Sequence, residues 1–172
     1  MTFTKTRREL EPSWVSWYCA KTWPKDEIRY RVPLGPVPAE ITKAYGETKG
    51  INVYRPWRPE VDALVIQKGG IVLLEAKIQK FMDGLSKLPV YKSLIPTTPE
   101  LLKYRAYPVE LRLLIPASVA WVVASAHAQN ILVIVDAPDY ILDAWNDRDK
   151  YWTKEATEER DRRKQKLKEL GL

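Results

Sequence analysis

Cysteine and histidine are almost absent from this sequence: Cys19 and His127 each occur once. A single cysteine excludes an internal disulfide and offers no thiolate cluster for zinc. A single histidine argues against a zinc site or a Ser-His-Asp triad, so His127 is expected to be structural. Also lacking is any apolar run of the ~18 residues that a membrane helix needs. The first residues, MTFTKTRRELEP, carry no apolar stretch of the signal-peptide kind. No internal repeat or low-complexity segment is present. Together these absences predict a soluble, intracellular protein.

What is there suits one compact domain with at most a short appendage. The chain has 172 residues, 45% hydrophobic and 29% charged, enough for a real core. A net charge of +6 permits an anionic partner without demanding one. The seven tryptophans and thirteen prolines fall mostly outside the strongest apolar runs. Residues 1–35 form an aromatic section, with Trp14, Trp17, Tyr18 and Trp23 in a helix-like stretch ended by Pro24. IRYRVPL, from Ile28, then alternates like a strand. This section reads as an N-terminal extension packed on the main domain.

Residues 36–138 read as the core. PVPAEITKAYGETKG sets Val37, Ile41, Ala44 and Tyr45 on one helical face, with Gly50 as a C-terminal stop. Strands INVYR, EVDALVIQ and IVLLEAKIQ follow, with links so short that they predict an antiparallel meander. A helix is expected from about Ser86 to Ile95, and another opens at Thr98 as N-cap with Pro99 at its first position. VELRLLI reads as a strand, ASVAWVVASAHAQ as a largely buried helix and ILVIV as a fully buried strand. Residues 139–172 read as a charged, solvated helix with Glu158–Arg162 and Glu159–Arg163 pairs. The fold class is therefore α/β, an αβββαβ core with a mixed sheet flanked by helices.

Charges inside the two apolar strands carry the chemistry. Period-two alternation puts Glu75 and Lys77 on one face of their strand. A turn centred on Lys68 and Gly69 brings Asp62 opposite Glu75, and opposed residues share a face. Two facing carboxylates repel unless a cation lies between them. Lys77 offsets one charge, and a divalent ion that prefers oxygen ligands would offset the other. The bare acidic-x-Lys pattern is weak, expected about once by chance in a chain of this length, and Glu47-Thr-Lys49 is a decoy at a helix end. Context distinguishes Glu75-Ala-Lys77: apolar flanks, and an aspartate at the start of the facing strand.

RPEVDALV, thirteen residues from Asp62 to Glu75, and then EAK resemble the PD-(D/E)XK nuclease superfamily. The predicted element order matches that superfamily's restriction-endonuclease-like core. The stretch from Ala39 to Asp62 is most similar to archaeal Holliday-junction resolvases, which implies Glu40 as a further ligand from the first helix. There are departures. Pro59 stands three residues before the aspartate, and KLPVY puts Lys87 where RecB-type nucleases carry glutamine, while keeping Tyr91.

The resemblance implies Mg²⁺-dependent endonucleolytic hydrolysis of DNA, with Mn²⁺ able to substitute. Asp62, Glu75, the main-chain carbonyl of Ala76 and Glu40 would hold the metal, and Lys77 would orient or help deprotonate the attacking water. Arg55, Arg58, Lys80 and Lys87 would grip the DNA backbone, Trp57 would pack, and Gln79 and Tyr91 would extend the site. The family's breadth leaves open a phage or mobile-element origin, a cytoplasmic or virion location, and a homodimer or virion assembly partner. It also leaves open a non-catalytic structural or DNA-binding protein, such as a phage head or neck component. A third reading is an ordinary α/β domain whose hairpin charges are a solvated strand end.

Overall fold

Gly69, at φ +88, closes the tight turn between strands β2 (Glu60–Gln67) and β3 (Gly70–Ala76). This backbone region favours glycine because a Cβ would crowd the chain there. The computed structural model describes residues 7–147 and 154–169. Its sheet has five strands in the order β1-β2-β3-β4-β5, with β1 at Glu27–Pro33, β4 at Val109–Ile115 and β5 at Ile131–Val135. β1, β2 and β3 pair antiparallel, whereas β3–β4 and β4–β5 pair parallel. The protein is thus an α/β domain with a mixed sheet and helices on both faces.

Alternation along β2 and β3 feeds two apolar cores. Leu64, Ile71 and Leu73 point to one face, where they meet Leu85 and Leu88 of helix α4 (Phe81–Leu94) and Val122 and Ala126 of α5 (Ala120–Ala128). Ala63, Val65, Val72 and Leu74 point to the other, against Trp14, Val15, Tyr18 and Cys19 of helix α1 (Arg7–Thr22). A strand buried on both faces reads as a continuous apolar run. Glu75, at 2% exposure, therefore has to be a charge inside the protein.

The expected fold class holds, but the first helix and first strand are α1 and β1, and helices, not a short link, separate β1 from β2. INVYR is helical: residues 51–54 end α3 (Glu47–Tyr54) and Arg55 opens a 3₁₀ turn. The meander's first place is taken by β1, paired with β2 from Glu27–Ile66 to Pro33–Glu60, so the position beside β2 that INVYR was expected to fill is occupied. The single helix expected over residues 36–50 is broken at Gly46 (φ +79) into α2 (Ala39–Tyr45) and α3. Gly50 is no stop: it lies buried inside α3, where a Cβ would come within 3.2 Å of Thr42 Cα. The aromatic section thus supplies an edge strand and a covering helix to the same layered unit. Trp14 Nε1 donates to Asp136 O at 3.0 Å, tying α1 to the chain after β5.

Position at an edge accounts for the differences at β5 and α5. β5 is the far edge of the sheet, so Leu132 and Val135 are half exposed rather than buried. α5 covers that margin and leaves Trp121 and Val123 outside, with His127 exposed in its last turn. α4 begins at Phe81, five residues earlier than expected. The segment after Thr98 is a 3₁₀ turn, Pro99–Tyr104, and the Thr98 hydroxyl does not cap it. Instead it accepts from Gly35 N and donates to Leu94 O, each at 2.8 Å. The tail is helical in α6 (Asp139–Asn146) and α7 (Lys154–Glu169), with Glu158, Glu159 and Arg162 exposed.

Candidate active site

The β2–β3 register runs to Ala63–Leu74 and, continued by one residue, sets Asp62 across from Glu75. There the ladder gives way to a side chain: Asp62 Oδ2 accepts the Ala76 N–H at 2.9 Å. Beyond β3, Lys77 N donates to Leu114 O at 2.9 Å and so keeps the alternation of the strand. Lys77 Nζ then lies 2.9 Å from Glu75 Oε1 and 3.8 Å from Asp83 Oδ2 on α4. Gly84 permits the close approach of α4. A Cβ there would stand 2.6 Å from Leu113 Cδ1 and 3.2 Å from Lys77 Cγ.

Burial and like charge dominate the electrostatics. Desolvation, reinforced by Asp62, pushes the Glu75 carboxyl up to about 7 against the pull of Lys77. Its Oε2 is buried with no hydrogen-bond partner. Burial pulls the Lys77 ammonium's pKa down, but Glu75 and Asp62 more than offset this and hold it above its usual range. Tyr91 is buried and held above the usual phenol range, by desolvation first and then by the Glu75 and Asp62 charges. It therefore stays a phenol, donating to Glu60 O at 3.0 Å.

Glu11, on α1, is the site residue that the sequence reading missed. Its Oε1 accepts the Ile78 N–H at 3.2 Å. Desolvation raises its pKa, opposed by Lys77 and reinforced by Asp62 and Asp83. A cleft of about 380 Å³ is lined by both Glu11 and Asp62. The signal lay in counting elements: once IRYRVPL is the meander's first strand, the core's first helix is the one before it. Glu40 sits instead on α2, exposed, in a helix packed chiefly on α3.

The expected phosphate grips divide. Lys87 stands at the site, 2.7 Å from Asp83 Oδ2 and close enough to pull Glu75 downward. Lys80 is exposed beside it, in a left-handed conformation at the start of α4. Gln79 follows Lys77 and Ile78, half-buried. Arg55 is exposed and bonded to Glu60 Oε1 and Arg31 O.

Arg58 is a correction. It is 5% exposed, its two terminal nitrogens hold Glu100 at 2.7 and 2.8 Å, and Nη2 also reaches Pro33 O, so its guanidinium is engaged inside the protein and not displayed on the surface as expected. Removing one partner of such a pair strands the other. Arg58→Ala should lower unfolding free energy by about 3 kcal/mol in urea titrations. Trp57 does not pack inside the protein; it is 71% exposed.

Among the described residues, no three carboxylate, imidazole or thiolate side chains form a ready-made metal cage. No family model and no curated protein matches this chain. A repair endonuclease from Pyrococcus abyssi is a solved structure similar to it at 14% identity, with a TM-score of 0.46. The match covers 80% of this chain and 50% of that one, so the chain spans about half the length of that protein. No helix among the described residues is long and apolar enough to cross a membrane.

Proposed function

We propose that this protein is a divalent-metal-dependent nuclease that hydrolyses phosphodiester bonds in DNA. The observation that carries the reading is the meeting of Asp62, Glu75 and Lys77 around a buried carboxylate oxygen with no partner. A buried charge left in that state is costly unless something pairs with it. The donor set fits a hard cation: Glu75 Oε2 is free to bind, Asp62 faces it, and both are oxygen ligands of the type Mg²⁺ takes. The Ala76 carbonyl would complete the protein's share. When bound, such an ion polarises the phosphoryl group and acidifies a water.

The side chains do the rest. Lys77 is held as an ammonium, so its role is to orient the nucleophile and to stabilise charge growing on the phosphoryl oxygens, not to accept a proton. Asp62, fixed by the Ala76 N–H, keeps its other oxygen available. Glu11 borders the same cleft and orders the chain just after Lys77 through Ile78 N.

Supercoiled plasmid incubated with Mg²⁺ or Mn²⁺ should be cut, and EDTA should stop the reaction. Glu11→Gln should slow cutting by ~10–100-fold, the range for residues that orient a metal's ligands. Salt-dependent DNA retention with no cutting at any metal concentration would overturn the reading and leave a binding protein.

A further inference from the structure

Two clefts open along β1, and they share a wall. The first is the one bordered by Glu11 and Asp62. The second, about 520 Å³, lies between β1 and α3 and is lined by Arg29, Thr48, Asn52 and Arg55. Tyr30 and Arg31 line both. A chain leaving the carboxylates over Arg31 therefore enters the second cleft directly.

Arg31 occupies a particular place in that wall. Tyr30 pairs with Ala63 and Val32 with Val61, so Arg31 stands at the register position of Asp62. Its φ of 51° is left-handed, a conformation that non-glycine residues rarely adopt. Its side chain, 74% exposed, pairs with Glu60 at 3.1 Å, and Arg55 pairs with the other oxygen of Glu60 at the same distance. Exposed pairs of this kind are weak and readily exchange a carboxylate for a phosphate. The second cleft also contains Glu47 and Glu100, but Glu100 is already neutralised by the buried Arg58. Arg29 is held by Glu27, so the surplus of positive charge comes from Arg31 and Arg55, which share the single carboxylate of Glu60.

Two residues past Arg55 stands Trp57. Its ring stacks on Tyr54, with centroids 6.0 Å apart and planes 16° apart, while the residue stays 71% exposed. A single exposed tryptophan means little by itself. One propped by a second ring, beside an arginine-lined cleft that joins a carboxylate site, has the make-up of a base-stacking platform. Only an unpaired base can offer its face to such a ring, because the bases of a duplex are stacked on each other.

We propose that the joined clefts hold one unpaired DNA strand, with its phosphates on Arg31 and Arg55 and a base stacked on Trp57. The proposal rests on the nuclease reading for its chemistry, though not for its binding. It makes the substrate single-stranded DNA or the unpaired arm of a branched DNA.

Fluorescence anisotropy in EDTA tests the strand path without turnover. A labelled single strand of about 16 nucleotides, the upper end of typical site sizes, should bind more tightly than the blunt duplex of the same sequence. Trp57→Ala should weaken single-strand binding about tenfold with an unchanged melting temperature, since the ring is outside the core. Arg31→Ala should reduce the salt slope by ~0.7, one phosphate's share on a single strand. Equal affinity for single strand and duplex, or a Trp57→Ala variant that binds like wild type, would overturn the proposal. The nuclease reading would survive that result if plasmid is still cut. Conversely, strong Trp57-dependent binding with no cutting in Mg²⁺ or Mn²⁺ removes the nuclease reading and leaves the strand path standing.

Discussion

Lys77→Ala should lower the rate of plasmid cleavage by ~10²–10³-fold, the usual effect of removing a preorganised charge that stabilises an oxyanion. The loss should appear in kcat with KM nearly unchanged, because in the proposed mechanism the ammonium would act where charge develops and not where a DNA backbone would be gripped. The substitution also removes the counter-ion 2.9 Å from Glu75 Oε1. Glu75 then faces Asp62 with only Lys87, the weaker of its two cations, to offset the repulsion, and its carboxyl, already at about 7, shifts further up and takes a proton at neutral pH. Protonation limits the damage to the fold, so the variant should remain folded by circular dichroism while failing to cut. Lys77→Met keeps the aliphatic stem packed near Gly84 and should be equally inactive, which separates lost charge from lost packing. Wild-type cutting by either variant would place the chemistry elsewhere in the molecule.

How much of this was legible in the sequence follows from how local each signal is. The β2–β3 hairpin, its register and the convergence of Asp62, Glu75 and Lys77 depend on a tight turn and on period-two alternation, both readable over a span of about twenty residues. The first strand and first helix were misassigned because that choice is non-local. INVYR and IRYRVPL both carry strand-like patterns, and only competition for one sheet edge sends the former into α3. Glu11 was hidden by the same error, since its reach to Ile78 N joins residues 67 apart in the chain. Arg58 shows a third kind of limit. A surface arginine and a buried one look alike in sequence, and its partner Glu100 lies 42 residues away. β5 read as buried because an edge strand facing a partial layer has the same composition as a central one.

Glu75→Gln should abolish metal-dependent cleavage and, in EDTA at pH 8, make the protein more stable than wild type. The Glu75 carboxyl titrates near 7 in the folded protein against a reference of 4.5, with desolvation as the main cause and Asp62 next. An acid displaced in this direction holds an extra proton in the folded state between those two values. Stability is therefore full below about pH 4.5 and falls as pH rises through about 7. The displacement corresponds to on the order of 3 kcal/mol at about 1.4 kcal/mol per pH unit. Glu11 is raised as well and adds to the same trend. Lys77, raised above 10.5, loses its contribution only at higher pH, outside this window. An amide at position 75 has no charge to desolvate, so the difference in melting temperature between variant and wild type should grow from about 2 °C at pH 5 to roughly 6–12 °C at pH 8, given ~2–4 °C per kcal/mol for a domain of this size. Mg²⁺ should then raise the melting temperature of wild type at pH 8 and leave Glu75→Gln nearly unmoved, because only the carboxylate gains a counter-ion. A melting-temperature difference that does not widen between pH 5 and 8 would mean that Lys77 already compensates the carboxylate fully in the folded protein, and the need for a metal at this site would disappear with it.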